Sequence, residues 1–186
     1  MPIKSFVKKN ITVSIAVGIL LIFLSSFIWA FAQTGTRAPR FNVSDGNNAK
    51  LDSDSLKGKV IVGFYESRDQ VKKNKQFKAF LIKYHFEDLE VSAKNGFMLS
   101  VIDATPANFI TRPIWKRNFI KNSEQARVTV YGDWDGSMKR SYGMPDDESV
   151  FIIIDKKGII RYIYIGKVPG KYFDGIKDLI GRLCLE

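Results

Sequence analysis

Short apolar runs alternate with helically spaced apolar residues through the first half of the chain. Residues 59–65, KVIVGFY, and residues 96–103, GFMLSVID, are β-rich runs typical of strands that are buried on both faces. Between them, apolar residues recur on one helix face, while most of the intervening lysines fall on its other faces. The apolar stripe consists of Phe77, Phe80, Leu81 and Tyr84. The pattern predicts alternating strands and helices, as in parallel α/β units.

The second half of the chain predicts a helix, a strand, a hairpin and a closing helix. The helix should begin near Arg112, because the proline that follows is tolerated only in the first turn of a helix. Residues 126–131 alternate as a third strand, and residues 132–142 are turn-rich. Residues 149–155 and 159–165 flank Lys-Lys-Gly, which is a hairpin signal, and a final amphipathic helix closes the chain. The order predicts an α/β fold with a mixed central sheet and helices on both faces.

The N-terminus has the composition of an export segment. Residues 1–10 carry three lysines and no acid, and residues 11–32 are predominantly apolar. Ala30 and Ala32 place small residues where a signal peptidase reads them, which favours cleavage after Ala32. The run of about 20 residues is also long enough to cross a hydrocarbon layer of about 30 Å, so an uncleaved inner-membrane anchor is the alternative. Either interpretation places the rest of the chain outside the cytoplasm, and we expect a periplasmic protein.

The remaining chain divides into a polar segment and one domain. Residues 33–54 have little apolar periodicity and are predicted to be a linker or an edge hairpin. Residues 55–186 are long enough, and apolar enough, to form a single domain with its own core.

Composition limits the chemistry that this domain could perform. Cys184 is the only cysteine, so no intramolecular disulfide can form, and its place in a closing helix predicts a packed apolar residue. An intermolecular disulfide or an exposed reactive thiol are the alternatives. His85 is the only histidine, which excludes a histidine metal cluster and removes the commonest general base. We expect it to cap the end of the first helix.

The chain is basic, with 29 lysines and arginines against 19 acidic residues and a formal net charge of +10. Three of the lysines and none of the acidic residues lie in residues 1–32. The rest of the chain therefore carries 26 basic and 19 acidic residues, which gives a net charge of +7. This charge favours acidic proteins or anionic lipid as partners. Because the chain is predicted to be exported, we expect no nucleic-acid partner.

Three stretches resemble known proteins. The hairpin FIIIDKKGIIRYIYIG resembles the thioredoxin-like superfamily, whose members often carry a strand of the type F-L-I-D before a charged turn with glycine. The stretches VIDATPANFITRPIWKRNFIKNSE and YGDWDGSMKRSYGMPDDESVFIIIDKKG resemble the YtfJ family of bacterial periplasmic thioredoxin-like proteins. In that family an acidic-Ser segment runs into V-x-x-x-D-K-x-G, as residues 147–158 do here. The resemblance covers residues 55–185.

The resemblance implies a thioredoxin-like fold from which the redox chemistry has been lost. The two redox cysteines of thioredoxins would fall at about Asp69 and Lys72, and neither side chain can exchange disulfides. The cis-proline of the superfamily would fall near Ser149. Cys184 lies in the wrong element for a one-cysteine peroxidase. We therefore expect no oxidoreductase or peroxidase activity, no cofactor and no metal, and a binding or accessory module in the cell envelope.

The groove that holds a substrate peptide in redox relatives supplies the candidate binding residues. They are Asp69, Gln70, Lys72 and Ser149. The expected partner is an envelope protein. A basic patch next to the groove is either a solvated face or a recognition surface for an acidic partner or anionic lipid. Residues 11–32 are a second segment through which the chain could contact a membrane. The patch consists of Arg68, Lys72, Lys73, Lys75 and Lys78.

Acidic residues leave two alternative functions open. Asp133 and Asp135 imitate the opening of a calcium loop, but Met144 occupies the position of its distal acidic ligand, so a turn between a strand and a helix is expected. One alternative is an enzyme of another type, which would use Asp69, Asp133 and Asp135 with raised pKa values in one cleft, or would depend on a metal. The other is a membrane-anchored structural domain. The acidic run at residues 146–148 is expected to start the next strand and to pair with the basic first helix.

Overall fold

The structure, a computed structural model, describes residues 32–84 and 94–186. Residues 1–31 of the predicted export segment and His85 lie outside these residues. Within the described ranges, no helix has the length and hydrophobicity needed to cross a membrane.

Seven strands form one mixed sheet in the order β2-β1-β5-β4-β3-β6-β7. The strands are β1 Asn42–Asp45, β2 Lys50–Asp52, β3 Val60–Glu66, β4 Gly96–Asp103, β5 Val130–Asp133, β6 Ser149–Ile154 and β7 Ile160–Ile165. The α-helices are α1 Lys75–Lys83, α2 Arg112–Ala126, α3 Ser137–Tyr142 and α4 Phe173–Leu185. Short 3-10 turns cover Ser53–Leu56, Arg68–Gln70 and Gly170–Tyr172.

The directions of the strands place the carboxyl ends of four strands on one side of the sheet. Strands β3, β4 and β5 are parallel, β6 is antiparallel to β3, and β7 is antiparallel to β6. Strand β7 therefore runs in the same direction as β3. These four strands end at Glu66, Asp103, Asp133 and Ile165, and we call this side the carboxyl end of the sheet. Crevices at such ends are where α/β sheets generally bind ligands.

The predicted strand and helix order is confirmed, with two corrections. The third strand is not residues 126–131, because α2 continues to Ala126 and β5 begins at Val130. The helix ends where Arg127 takes a left-handed conformation (φ 53°), and the Val130 amide then donates to the Ser123 hydroxyl. The turn-rich residues 132–142 contain the short helix α3.

The predicted polar segment at residues 33–54 contributes to the sheet. Strands β1 and β2 form a hairpin in it, and β1 pairs antiparallel with β5. At Gly46, beside this hairpin, an added Cβ would collide with the backbone carbonyl of Lys116 in α2. The absence of a side chain here lets the hairpin pack directly on the helix.

Two apolar layers bury both faces of β3, as its sequence predicts. Ile61 and Tyr65 face a core that includes Met138 of α3, whereas Val62 and Phe64 face a core built with α1 and α4. Since side chains alternate along a strand, Glu66 continues the face of Val62 and Phe64. A carboxylate is thereby directed toward α1 from the last position of the central strand.

Candidate binding site

A buried carboxylate lies at the carboxyl end of the central strand. The side chain of Glu66 is 0% exposed, and its Oε2 lies 2.5 Å from the Nζ of Lys78. Its Oε1 accepts a hydrogen bond of 2.8 Å from the hydroxyl of Ser149, which is its cross-strand partner in β6. Burial raises the pKa of Glu66, and the Lys78 cation and the Ser149 hydroxyl offset part of this increase. The carboxylate is held by internal partners on both oxygens.

Lys78 reaches Glu66 because it lies close to the inward face of α1. Asn74, Lys78 and Leu81 occupy positions i, i+4 and i+7, which share one face of a helix. The Lys78 ammonium also donates to the carbonyl of Val71 (2.8 Å) and lies 5.2 Å from the ring centroid of Phe64. Only 21% of the Lys78 side chain is exposed, so this predicted patch residue is not on a solvated face.

The Asn74 side chain connects three segments at this end of the sheet. Its Nδ2 donates to the Ser149 hydroxyl and to the Gly166 carbonyl, each at 2.9 Å, and its Oδ1 accepts from the Val168 amide at 2.9 Å. We call Glu66, Asn74, Lys78 and Ser149 the buried polar network. It ties the start of α1 to the starts of β6 and of the loop after β7.

The predicted groove residues are divided between the surface and this network. Asp69 and Gln70 lie in the 3-10 turn after β3, and Lys72 follows it; Asp69 and Lys72 are exposed. Ser149 is fully buried, with its hydroxyl engaged by Glu66 and Asn74, so it supports the loop from beneath. No cis peptide bond occurs in residues 32–84 and 94–186.

A cleft of about 490 Å³ opens beside the network, between the start of α1 and the loop after β7. We call it the lysine cleft. It is lined by Lys72, Lys73, Asn74, Lys75, Gln76, Phe77, Lys167, Val168, Pro169, Gly170 and Phe173. Lys73 pairs with Glu148 at 2.6 Å, whereas within the described part of the chain the ammonium groups of Lys72, Lys75 and Lys167 have no hydrogen bond or ion pair. Three unpaired cations therefore surround an opening whose walls are partly aromatic.

The start of α1 adds to the positive potential of this cleft. Asn74 is the N-cap residue, but its side chain bonds the neighbouring loops and does not accept from the first turn of the helix. The first N–H groups of a helix lack intrahelical acceptors, and the helix dipole makes this end positive. The arrangement favours an anionic ligand.

Only part of the predicted basic patch lines the cleft. Lys72, Lys73 and Lys75 line it, Lys78 is paired with Glu66, and the guanidinium of Arg68 lies 5.7 Å from the ring centroid of Trp115. Sequence reasoning missed Lys167, which is distant in sequence from the others. It reaches the cleft because β7 runs in the same direction as β3.

The acidic residues proposed for an enzyme do not gather in the cleft. Asp133 is buried, its Oδ2 accepts from the Tyr65 hydroxyl (3.1 Å) and the Lys139 amide (2.9 Å), and burial raises its pKa. Asp135 is exposed, and hydrogen bonding to Ser137 lowers its pKa. Neither residue, nor Asp69, lines the lysine cleft. Of the acidic run at residues 146–148, Glu148 pairs with Lys73 just before α1.

Cys184 is a packed residue of α4, as predicted. Its side chain is fully buried in the core beneath α1 and α4, and burial raises the pKa of the thiol. A buried, protonated thiol is a poor nucleophile.

We expect a thiol-reactive maleimide to leave Cys184 unlabelled in the native protein and to label it rapidly in denaturant. Mass spectrometry over a time course measures this reaction. Fast labelling of the folded protein would contradict the buried position. The same assay reports on the alternative of a reactive or intermolecularly bridged cysteine.

No protein-family model and no curated protein matches the chain in sequence. Solved structures do match. A protein of Chlorobium tepidum assigned as the thiol:disulfide interchange protein DsbE is 20% identical, with a TM-score of 0.55 over 82% of this chain and 98% of that one. The exposed lipoprotein thioredoxin of Streptococcus pneumoniae is 16% identical, with a TM-score of 0.57 over 78% and 100%. The 2-Cys peroxiredoxin of Plasmodium vivax is 19% identical, with a TM-score of 0.52 over 80% and 94%.

These similarities establish a thioredoxin-like α/β fold for this chain. The neighbours include thiol-disulfide oxidoreductases and a 2-Cys peroxiredoxin, but this chain has one cysteine, and it is buried. A disulfide-exchange cycle within one chain needs a second thiol to resolve the mixed disulfide. This chain thus has the fold without the cysteine pair that such a cycle needs.

Proposed function

We propose that the protein is an exported, non-redox binding module of the YtfJ type, which holds an acidic segment of another envelope protein in the lysine cleft. The observation that carries this proposal is the set of three unpaired ammonium groups, on Lys72, Lys75 and Lys167, around one opening. Unpaired like charges repel each other, so a carboxylate-rich ligand would relieve an unfavourable arrangement as it binds.

The position of the cleft also supports a peptide ligand. The loop after β3 is where redox relatives carry their cysteines, and the resemblance implies that the neighbouring groove holds extended peptide. Pro169 and Phe173, both partly exposed, give the cleft apolar contact area beside its lysines. A short acidic peptide with an apolar side chain matches both features.

The location in the cell envelope rests on two further points. Residues 1–32 have the pattern of a signal peptide or membrane anchor, and one structural neighbour is an exposed lipoprotein. Export would bring the lysine cleft to the compartment where the proposed partner resides.

The first test measures the affinity of the full chain for an oligoglutamate peptide that ends in phenylalanine, by fluorescence anisotropy. We expect this peptide to bind and an oligoglutamine peptide of the same length not to bind. The double variant Lys75→Gln/Lys167→Gln should weaken binding by roughly tenfold, since each charge contributes about 0.7 kcal/mol. Added salt should weaken it further.

A matched variant controls for net charge. Lys50→Gln/Lys157→Gln removes two exposed lysines away from the cleft and should leave the affinity nearly unchanged. Equal losses in both double variants would mean that the peptide responds to overall charge, and the proposal would be wrong. In cells, a photo-crosslinker at Gln76, an uncharged cleft residue, should capture a protein partner only when Lys75 and Lys167 are intact.

A further inference from the structure

The loop between β4 and α2 presents large apolar side chains to solvent. Phe109 is 87% exposed, Ile110 67% and Ile114 54%. Side chains of this kind are usually buried, and several exposed together mark an interaction surface. We call these three residues the apolar tip. None of them lines the lysine cleft.

Local hydrogen bonds hold the tip in this conformation. The Oδ1 of Asn108 accepts from the amides of Ile110 (3.0 Å) and Thr111 (2.9 Å), and the Asn108 amide donates to the Thr111 hydroxyl at 3.1 Å. The carbonyl of Asn108 also accepts from the Arg112 amide at 2.8 Å. The backbone thus fixes Phe109 and Ile110 outward at the entrance to α2.

The helix that follows the tip is basic. Helix α2 contains four basic residues and one acid, Glu124, which lies at i+3 from Lys121. Ile114, Arg117 and Lys121 lie at i, i+3 and i+7, on one exposed face of α2, whereas Phe119 packs into the core. The side chains of Arg117 and Lys121 make no hydrogen bond or ion pair within the described ranges. An apolar end therefore continues into a basic face.

We propose that the apolar tip and the basic face of α2 form a docking surface for anionic lipid membrane. The tip would enter the boundary between headgroups and acyl chains, while Arg117 and Lys121 contact the anionic headgroups. Apolar side chains that enter the headgroup boundary, beside cations that contact anionic headgroups, are the two features that bind proteins to membrane interfaces. A protruding side chain such as Phe109 needs a matching pocket on a protein partner, whereas fluid lipid closes around it. An uncleaved anchor at residues 11–32, the alternative to a cleaved signal, would hold the chain at a bilayer.

The experiment places the photo-crosslinking amino acid benzoylphenylalanine at Phe109 in the full chain, reconstituted into vesicles. Vesicles of phosphatidylcholine with about one third phosphatidylglycerol are compared with phosphatidylcholine alone. The matched control carries the same probe at Tyr172, an aromatic residue that is 40% exposed on another surface. Because both sites are exposed, the probe leaves the core intact. Lipid adducts are quantified by mass spectrometry after irradiation.

We expect the adduct yield at Phe109 in anionic vesicles to exceed that at Tyr172 by about tenfold, since burial of one or two such side chains gives partitioning of this size. Arg117→Glu/Lys121→Glu should lower the yield by at least about fivefold in anionic vesicles and barely change it in phosphatidylcholine. Equal yields from the two probe positions would overturn the proposal. The proposal would also be wrong if, in expressing cells, the probe at Phe109 formed adducts with a protein and none with lipid.

Discussion

Replacing Lys78 with methionine should lower the free energy of unfolding by about 3 kcal/mol at neutral pH, because it leaves a buried carboxylate without its cation. Glu66 is fully buried and would keep only the Ser149 hydroxyl as a partner. Methionine preserves the length of the apolar stem beside Phe64, so the loss reflects the charge rather than the packing. Urea unfolding followed by tryptophan fluorescence measures the difference.

The pH dependence of Lys78→Met separates this cause from general damage. Burial raises the pKa of Glu66, and the Lys78 cation opposes this increase, so the variant should have a still higher folded-state pKa. A folded-state pKa above the unfolded value means that stability is fully present below the unfolded pKa and is lost as pH rises through the folded pKa. The difference in free energy of unfolding between the variant and the native protein should therefore be small near about pH 4 and should increase toward about pH 8.

Two further variants make the comparison specific. Lys75→Met removes an exposed, unpaired lysine of the same helix and should change stability by less than about 0.5 kcal/mol. Glu66→Gln/Lys78→Met removes both charges and should recover much of the loss. A loss in Lys78→Met that did not vary with pH, or that Lys75→Met reproduced, would show that the ion pair is not what stabilises this end of the sheet.

The elements that could be predicted from the sequence are those whose signals are local. Residues 59–65 and 96–103 match β3 and β4 closely, and the proline after Arg112 predicts the start of α2. Helix α3 was missed because six residues are too few to show periodicity. The start of β5 depends on the Ser123 hydroxyl, which accepts from an amide seven residues later.

The site was less predictable because its partners are distant in sequence. Lys78 could have been recognised, since it lies four residues from Asn74 and three from Leu81 on the inward face of α1. The resemblance assigns Ser149 to the groove, but nothing local indicates that Glu66 would occupy its hydroxyl. Lys167 reaches the cleft only through the strand order, which no short motif encodes.

Replacing Asn74 with leucine should lower the free energy of unfolding by about 3 kcal/mol and should weaken acidic-peptide binding, although the substitution removes no charge. Leucine has a similar size but cannot bond the Gly166 carbonyl or the Val168 amide, and an unsatisfied buried polar group costs about 1–3 kcal/mol. Because these bonds hold the loop that carries Lys167, the cleft should lose one wall. The same substitution at Asn122, exposed on α2, is the control.

Hydrogen exchange at the Val168 amide distinguishes a local effect of Asn74→Leu from a global one. This amide donates to the Asn74 side chain and should lose protection by more than the fall in global stability accounts for. Amides in the centre of β6 should follow the global change alone. If Val168 stayed protected while peptide affinity fell, the loop would be held by other contacts, and Lys167 would not depend on the buried polar network for its position. Loss of protection together with loss of affinity would link the buried polar network to peptide binding in the lysine cleft.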